Sequence, residues 1–244
     1  MQCLIIGAGG IGTRLTPLAK VDMFDSFHIF DKDVYEDSNM ARQGSRSLIG
    51  QVKSGVLKRS LAKLSPKLSE DYFAANGNFH LDRHIVRNTN EPTVVFCTVD
   101  QPTPRCDLHK WSRKGEGKRA PDIVIYGMNE LQNGEAVLDI PAIPWWPDPA
   151  VLYPNSFYDG MDDANRPHCA NLQNEGGVQA EQIATINGAI AGDMLWLFEA
   201  AMHMKRHPDW VTDPSLEIPL PYAVVTTALG KRTRQVMADG TKLS

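Results

Sequence analysis

The chain opens on Gln2–Ile6, a nearly unbroken apolar run, and passes directly into a glycine-rich turn. A run this short, without alternation, is what a strand buried on both faces of a parallel sheet requires. A helical pattern begins at about Gly10, but Pro17 falls where that helix should still be running. Proline removes an amide donor and crowds the preceding turn, so a short or kinked helix is expected. Ser26–Asp31 reads as a second strand ending on an acidic residue. Residues 52–64 put Val56, Leu57, Leu61 and Leu64 on one helical face and Lys and Arg on the other, until Pro66 stops the pattern. Further strands are expected at 79–86, 93–98, 122–127 and 134–140. Strands alternating with helices in this way predict an α/β fold.

Between residues 141 and 177 the pattern is lost. Pro141, Pro144, Pro147, Pro149 and Pro154 argue against regular structure there, and Trp145 and Trp146 sit among them. A structureless loop this long is uncommon inside a compact domain and is usually functional or mobile. Its tryptophans would either dock a partner or pack the loop onto its own domain, and the second is expected. At 178–203 a helix resumes, with Ile183, Ile186, Ile190, Met194 and Leu197 on one stripe. Pro221–Thr227 and 233–237 then read as a closing hairpin, with Lys231, Arg232 and Arg234 on its solvated turn and edge. Residues 1–244 are expected to form a single domain.

Composition narrows the field by exclusion. The chain is 42% hydrophobic and 22% charged, which is ordinary for a globular protein. Lys and Arg number 25 against 29 Asp and Glu, for a net charge of −4, so nucleic-acid gripping is not expected. No apolar run approaches the roughly 18–20 residues of a membrane span. No charged leader precedes the first strand, and a soluble, cytoplasmic protein is expected. Four cysteines, Cys3, Cys97, Cys106 and Cys169, form no Cys-x-x-Cys pair, so neither a disulfide framework nor a thiolate zinc site can be written from them. Cys3 and Cys97 fall in apolar strands and read as small buried hydrophobes.

Candidate chemistry starts at Gly7-Ala8-Gly9-Gly10-Ile11-Gly12, between a buried strand and a helix. Gly7 permits the tight turn, Gly9 or Gly10 lets backbone amides approach phosphate oxygens, and Gly12 allows close packing. The expected helix behind it adds unpaired amides and a positive dipole end. Asp31, closing the second strand, is placed for ribose hydroxyls. These features indicate a nucleotide without choosing between a dinucleotide and ATP.

The next segment adds Asp31-Lys32-Asp33, Glu36, and then Ser38-Asn39-Met40-Ala41-Arg42-Gln43. With the glycine loop, this resembles the signature of the E1-like adenylating superfamily of MoeB, ThiF, HesA and the ubiquitin-activating enzymes. The similarity continues at Ile49-Gly50-Gln51-Val52-Lys53 and at Cys97-Thr98-Val99-Asp100-Gln101 with Arg105. Tyr126-Gly127 and Gly134-Glu135-Ala136-Val137 extend it to about residue 140, and 179–197 matches more weakly. The resemblance implies a Rossmann-like, mostly parallel sheet with a long crossover loop at about 141–177, then a C-terminal helix and β-hairpin. It implies that Gly10 meets the nucleotide and that Asp31 binds its ribose, with Asp33 beside it. Ser38, Asn39, Arg42, Gln43 and Lys53 would hold the triphosphate, and Asp100 would serve catalysis and Mg²⁺. The implied reaction is ATP- and Mg²⁺-dependent adenylation of the C-terminal glycine of a small ubiquitin-like or sulfur-carrier protein, by a homodimer.

The chemistry asks for these residue types. Attack of a carboxylate on the α-phosphate of ATP expels pyrophosphate and builds negative charge on both fragments. Fixed cations such as Arg42, Lys53 and a metal at Asp100 would stabilise that charge. Each residue also has an ordinary reading: a surface arginine, a helix-terminal lysine disfavoured by the dipole, or an Asp100 helix cap in competition with Thr98.

Departures from the pattern carry their own expectations. Gln101 stands where the family commonly has Asn. The paired Cys-x-x-Cys motifs of many members are missing, so no structural zinc is expected. The first strand begins too early for an N-terminal extension bearing the arginine that several members send into a partner's site, and Arg14 is the substitute the sequence offers. Cys169, beside His168, has two readings: a thioester nucleophile that takes the acyl group from AMP, or a loop cysteine of packing value only. His80 and His84 lack an evident third ligand for a metal. The competing functions are an NAD(P)-dependent oxidoreductase and a catalytically silent module that binds a ubiquitin-like partner.

Overall fold

The computed structural model describes residues 1–39, 46–65, 72–76, 91–114, 120–129, 133–143, 146–157, 180–205, 221–227 and 232–236. Its strands are β1 (Gln2–Ile6), β2 (Ser26–Asp31), β3 (Tyr72–Asn76), β4 (Thr93–Cys97), β5 (Ile123–Asn129), β6 (Asn133–Asp139), β7 (Pro221–Thr227) and β8 (Arg232–Val236). They form an eight-stranded sheet in the order β3-β2-β1-β4-β5-β6-β7-β8. The pairings from β3 through β5 are parallel, and those from β5 through β8 are antiparallel. The expected Rossmann-like α/β architecture is present, with the hairpin continuing the same sheet.

Burial explains why the strands read so plainly. Every residue of β1 and of β4 is buried, as central parallel strands demand. Cys3 and Cys97 are both fully buried; burial pushes the Cys3 thiol well up, and raises Cys97 to about 11 against the opposing pull of Arg105 and the Val99 backbone.

The helices are α1 (Lys53–Leu64), α2 (Pro102–Lys114), α3 (Pro149–Leu152) and α4 (Ala180–Lys205). In α1, Leu57 and Leu61 are buried but Leu64 is 45% exposed, so the expected stripe ends one turn early. In α4, Ile186, Ile190, Met194 and Leu197 are all buried, as their spacing requires. This helix lies against β5, β6 and β7. It sits so close that a Cβ on Gly134 would come within 2.1 Å of Ile190 Cδ1. Phe198 stacks on Phe24 at 5.2 Å and meets Phe96 edge-on at 5.7 Å, tying the far end of α4 to the parallel half.

Several expectations are corrected. No α-helix follows the glycine loop; Gly12–Arg14 and Thr16–Lys20 are short 3-10 turns, with Pro17 in the first turn of the second. The strand β3 and the helix α2 were not expected, while the strand placed at 79–86 lies outside the described residues. The proline-rich segment does contain regular structure. Asp148 caps α3 by accepting from Ala150 N at 2.8 Å, and Pro149 takes the first helical position, where its missing N–H is harmless. A 3-10 turn follows at Pro154–Ser156. Trp146 is buried and donates from Nε1 to the Leu138 carbonyl at 2.8 Å, so this part of the loop packs on its own fold.

Candidate functional site

The parallel strands β2, β1 and β4 deliver three loops to their common carboxyl edge. Chain order reverses here, because β1 is followed on one side by β2 and on the other by β4. In open α/β sheets that crevice is where ligands bind.

The glycine loop is built by close approach of backbone to backbone. Gly7 has φ +96°, a conformation that disfavours a side chain, and its N–H donates to the Phe30 carbonyl at 2.8 Å. Thr98 Oγ1 donates to the Gly7 carbonyl at 2.8 Å, so Thr98 ties the turn instead of capping a helix. A Cβ on Gly12 would stand 2.1 Å from that same carbonyl oxygen. Gly9 accepts from Thr13 through both N, at 3.0 Å, and Oγ1, at 2.9 Å. Gly10 abuts the side chain of Asn187 on α4. Because only a three-residue 3-10 turn follows, the loop lacks the dipole of a full helix. Attraction for phosphate must come from the loop amides and from neighbouring side chains.

Asp31 joins this loop to the next. Its Oδ2 accepts from Ala8 N at 2.5 Å and its Oδ1 from Asp33 N at 2.7 Å. Burial raises its pKa, against the two backbone N–H groups and the nearby Lys53 charge, which pull the other way. Lys53, the first residue of α1, is only 6% exposed. Its ammonium pairs with Asp33 Oδ2 at 3.3 Å, and its backbone N–H donates to the Asp33 carbonyl at 3.0 Å. Asp31, Asp33 and Lys53 thus form one connected group beside Ala8.

Other predicted residues lie around this group. Asp100 is exposed on the turn after β4, two residues before α2 begins. Arg105 reaches back from α2 and clamps the Val99 carbonyl through Nε at 3.1 Å and Nη2 at 2.5 Å. Gln101 Oε1 accepts from Lys32 Nζ at 3.2 Å, a link between the β2 and β4 loops. Ser38 and Asn39 lie in a 3-10 turn whose polar groups serve one another: Asn39 Oδ1 accepts from Glu36 N at 3.2 Å, and Ser38 Oγ donates to Glu36 at 3.5 Å. Arg42, Gln43, Cys169, His168, His80 and His84 lie outside the described residues. Among the described residues, no group of three or more His, Cys, Asp or Glu gathers to hold a metal. None of the described helices is long and apolar enough to cross a membrane.

Two residues at the site were not singled out from sequence. Asn129 closes β5 and donates from Nδ2 to Asn187 Oδ1 at 2.7 Å. The only trace in the sequence is a polar residue beside the apolar stripe of α4, a pattern that ordinary helices also show.

A family model described as the ThiF family matches residues 1–127, just over half of the chain. No curated protein matches the sequence. Among solved structures, E. coli MccB with MccA-N7isoASN is similar at a TM-score of 0.60 and 17% identity, over 97% of this chain and 64% of that one. E. coli MccB with ATP gives 0.59 and 18%, over 97% and 64%. The microcin C7 biosynthetic enzyme MccB with N-formylated MccA gives 0.57 and 17%, over the same shares. The likeness is one of fold, and the chain spans less than two thirds of the length of these structures.

Proposed function

The chain belongs to the ThiF family, and from that premise we propose that it activates a carboxylate with ATP. A carboxylate oxygen bonds to the α-phosphorus, the bond to the bridging oxygen of the β-phosphate breaks, and an acyl-adenylate and pyrophosphate result. The observation that carries this reading is the connected group at the carboxyl edge of β1 and β2: the glycine loop, Asp31 bonded to its Ala8 amide, and the buried Lys53 ammonium beside them. A nicotinamide enzyme would use such a loop and Asp31 but has no need of a lysine drawn into the same group.

In this reading the loop Gly7, Gly9, Gly10 and Gly12 receives the phosphates and Asp31 the ribose. Lys53, with Ser38, Asn39, Arg42 and Gln43, neutralises the triphosphate. With no described cluster able to hold a metal by itself, Mg²⁺ would arrive with the phosphates and take Asp100 as its protein carboxylate. That exposed carboxylate at the crevice suits a cation delivered by the substrate. The acyl substrate is a protein or peptide C-terminus, the ubiquitin-like or sulfur-carrier class being the specific candidate. The E. coli MccB structure with AMPCPP and MccA supports a second ligand beside the nucleotide. Residues 1–244 act as one domain, in the cytoplasm and as a homodimer. Cys169 is the residue to examine for thioester transfer.

Thermal unfolding with Mg·ATP, NAD⁺ and NADPH tests the nucleotide. Near-saturating Mg·ATP should raise the midpoint by roughly 5 °C, and Lys53→Ala and Asp100→Ala should each abolish the rise. A shift with a nicotinamide cofactor would overturn adenylation, and no shift with any of the three would leave a silent binding module.

A further inference from the structure

Asn187 is 3% exposed on the sheet-facing side of α4, between the buried Ile186 and Ile190. A polar side chain in such a place is unfavourable unless its hydrogen bonds are made. Its Oδ1 is satisfied by Asn129 Nδ2 at 2.7 Å. Its Nδ2 is turned to the glycine loop, where a Cβ on Gly10 would stand 2.2 Å away. The side-chain amide nitrogen is thus aimed at the loop, with the amide oxygen held from behind by Asn129.

Arg14 lies along the next residue of α4: its Cδ, Nη1 and Nε stand 3.7, 3.8 and 3.9 Å from the position of a Cβ on Gly188. An amide donor beside a loop of backbone N–H groups suits an oxyanion.

We propose that the Asn187 side-chain amide donates a hydrogen bond to a phosphate oxygen of the nucleotide in the glycine loop, and that Asn129 is the positioning residue that turns it there. This rests on the nucleotide reading above and goes beyond it, because it brings α4, and β5 at the border of the two halves, into a site otherwise built on the loops after β1, β2 and β4. It also accounts for glycine at position 10, since a side chain there would displace the donor.

The reversed amide would instead present oxygen to Gly10 and accept from the loop, and Asn187→Asp separates the two arrangements. Aspartate only accepts, and its charge repels phosphate. The measurement is the Kd for Mg·ATP, by titration calorimetry, of the wild type, Asn187→Asp, Asn129→Ala and the double variant. Asn187→Asp should weaken binding on the order of tenfold to a hundredfold, as loss of a hydrogen bond to a charged group does. Asn129→Ala should weaken it several-fold alone, and in the double variant add nothing to Asn187→Asp, because it acts through that residue. Should Asn187→Asp fail to fold, Asn187→Ala removes the donor without adding charge and carries the same expectation in direction. Wild-type affinity in either Asn187 variant overturns the proposal while leaving the nucleotide reading intact. Full additivity in the double variant removes the positioning role of Asn129. A wild type that binds no Mg·ATP overturns both readings together.

Discussion

At the scale of single residues, Lys53 is electrostatically out of place. The first turn of a helix carries partial positive charge, so a cation there is disfavoured, and this one is also nearly out of water. Its partner Asp33 is half exposed, which weakens the pair as a source of stability. The arrangement makes sense if the ammonium is kept for a ligand. Lys53→Met should therefore leave the unliganded unfolding midpoint within about 2 °C of wild type while losing the stabilisation by Mg·ATP. A large fall in the unliganded midpoint would mark Lys53 as structural instead. Gly12 makes the opposite case. Its Cβ would lie 2.1 Å from the Gly7 carbonyl oxygen, which is backbone and cannot swing aside. Gly12→Ala should destabilise the fold by about 2 kcal/mol or more in chemical denaturation. A neutral result would contradict the close-packed loop described here.

Among elements, the proline-rich segment is fastened by charge. Arg113 on α2 donates to Asp139 at the end of β6 and also to the Pro147 carbonyl at 3.1 Å. His109, one turn earlier on α2, lies 3.5 Å from Asp148, the cap of α3, and meets Phe157 edge-on at 5.6 Å. Burial lifts the Asp139 pKa to about 6, with Arg113 restraining the rise and Asp148 adding to it. The sign follows from linkage. The folded protein holds the proton more tightly than the unfolded chain, so this contribution to stability is full below about pH 4 and is lost as pH rises through about 6. On the order of 2 kcal/mol is at stake. Asp139→Asn should flatten the fall in unfolding midpoint between pH 4 and 7 relative to wild type. Parallel pH profiles would show that Asp139 does not titrate in this way.

The same elements show what the sequence makes legible. In β1 the chain is apolar without a break, and α4 repeats Ile186, Ile190, Met194 and Leu197 at helical spacing, so burial and period speak with one voice. By contrast, β3 is five residues, Tyr72–Asn76, with no alternation to mark it. The helix α2 begins Pro102-Thr103-Pro104, which looks like a break although proline is tolerated in a first turn. Asp148-Pro149 hides α3 in the same way. At the glycine loop the motif suggests a helix that Pro17 shortens or kinks, and the chain forms two short 3-10 turns there. Residues such as Gly7 and Asp31 declare themselves through local motif spacing. Asn187 does not, because its relation to Gly10 is created by α4 folding back from 177 positions later in the chain.

For the whole molecule, the proposed site joins two halves of one sheet. The parallel half supplies the loops that carry Gly7, Asp31, Lys53 and Asp100, and the antiparallel half supports the helix that closes over Gly10. Adenylation of a carboxylate is read out by ATP–pyrophosphate exchange. Pools of short peptides with free C-terminal carboxylates should be compared with the same peptides amidated at the C-terminus. Mg²⁺-dependent exchange is expected with the free acids, none with the amides, and none in Lys53→Met. Exchange that ignores the C-terminal carboxylate would contradict the adenylation reading, as would NAD⁺-dependent turnover by a protein that fails to bind ATP.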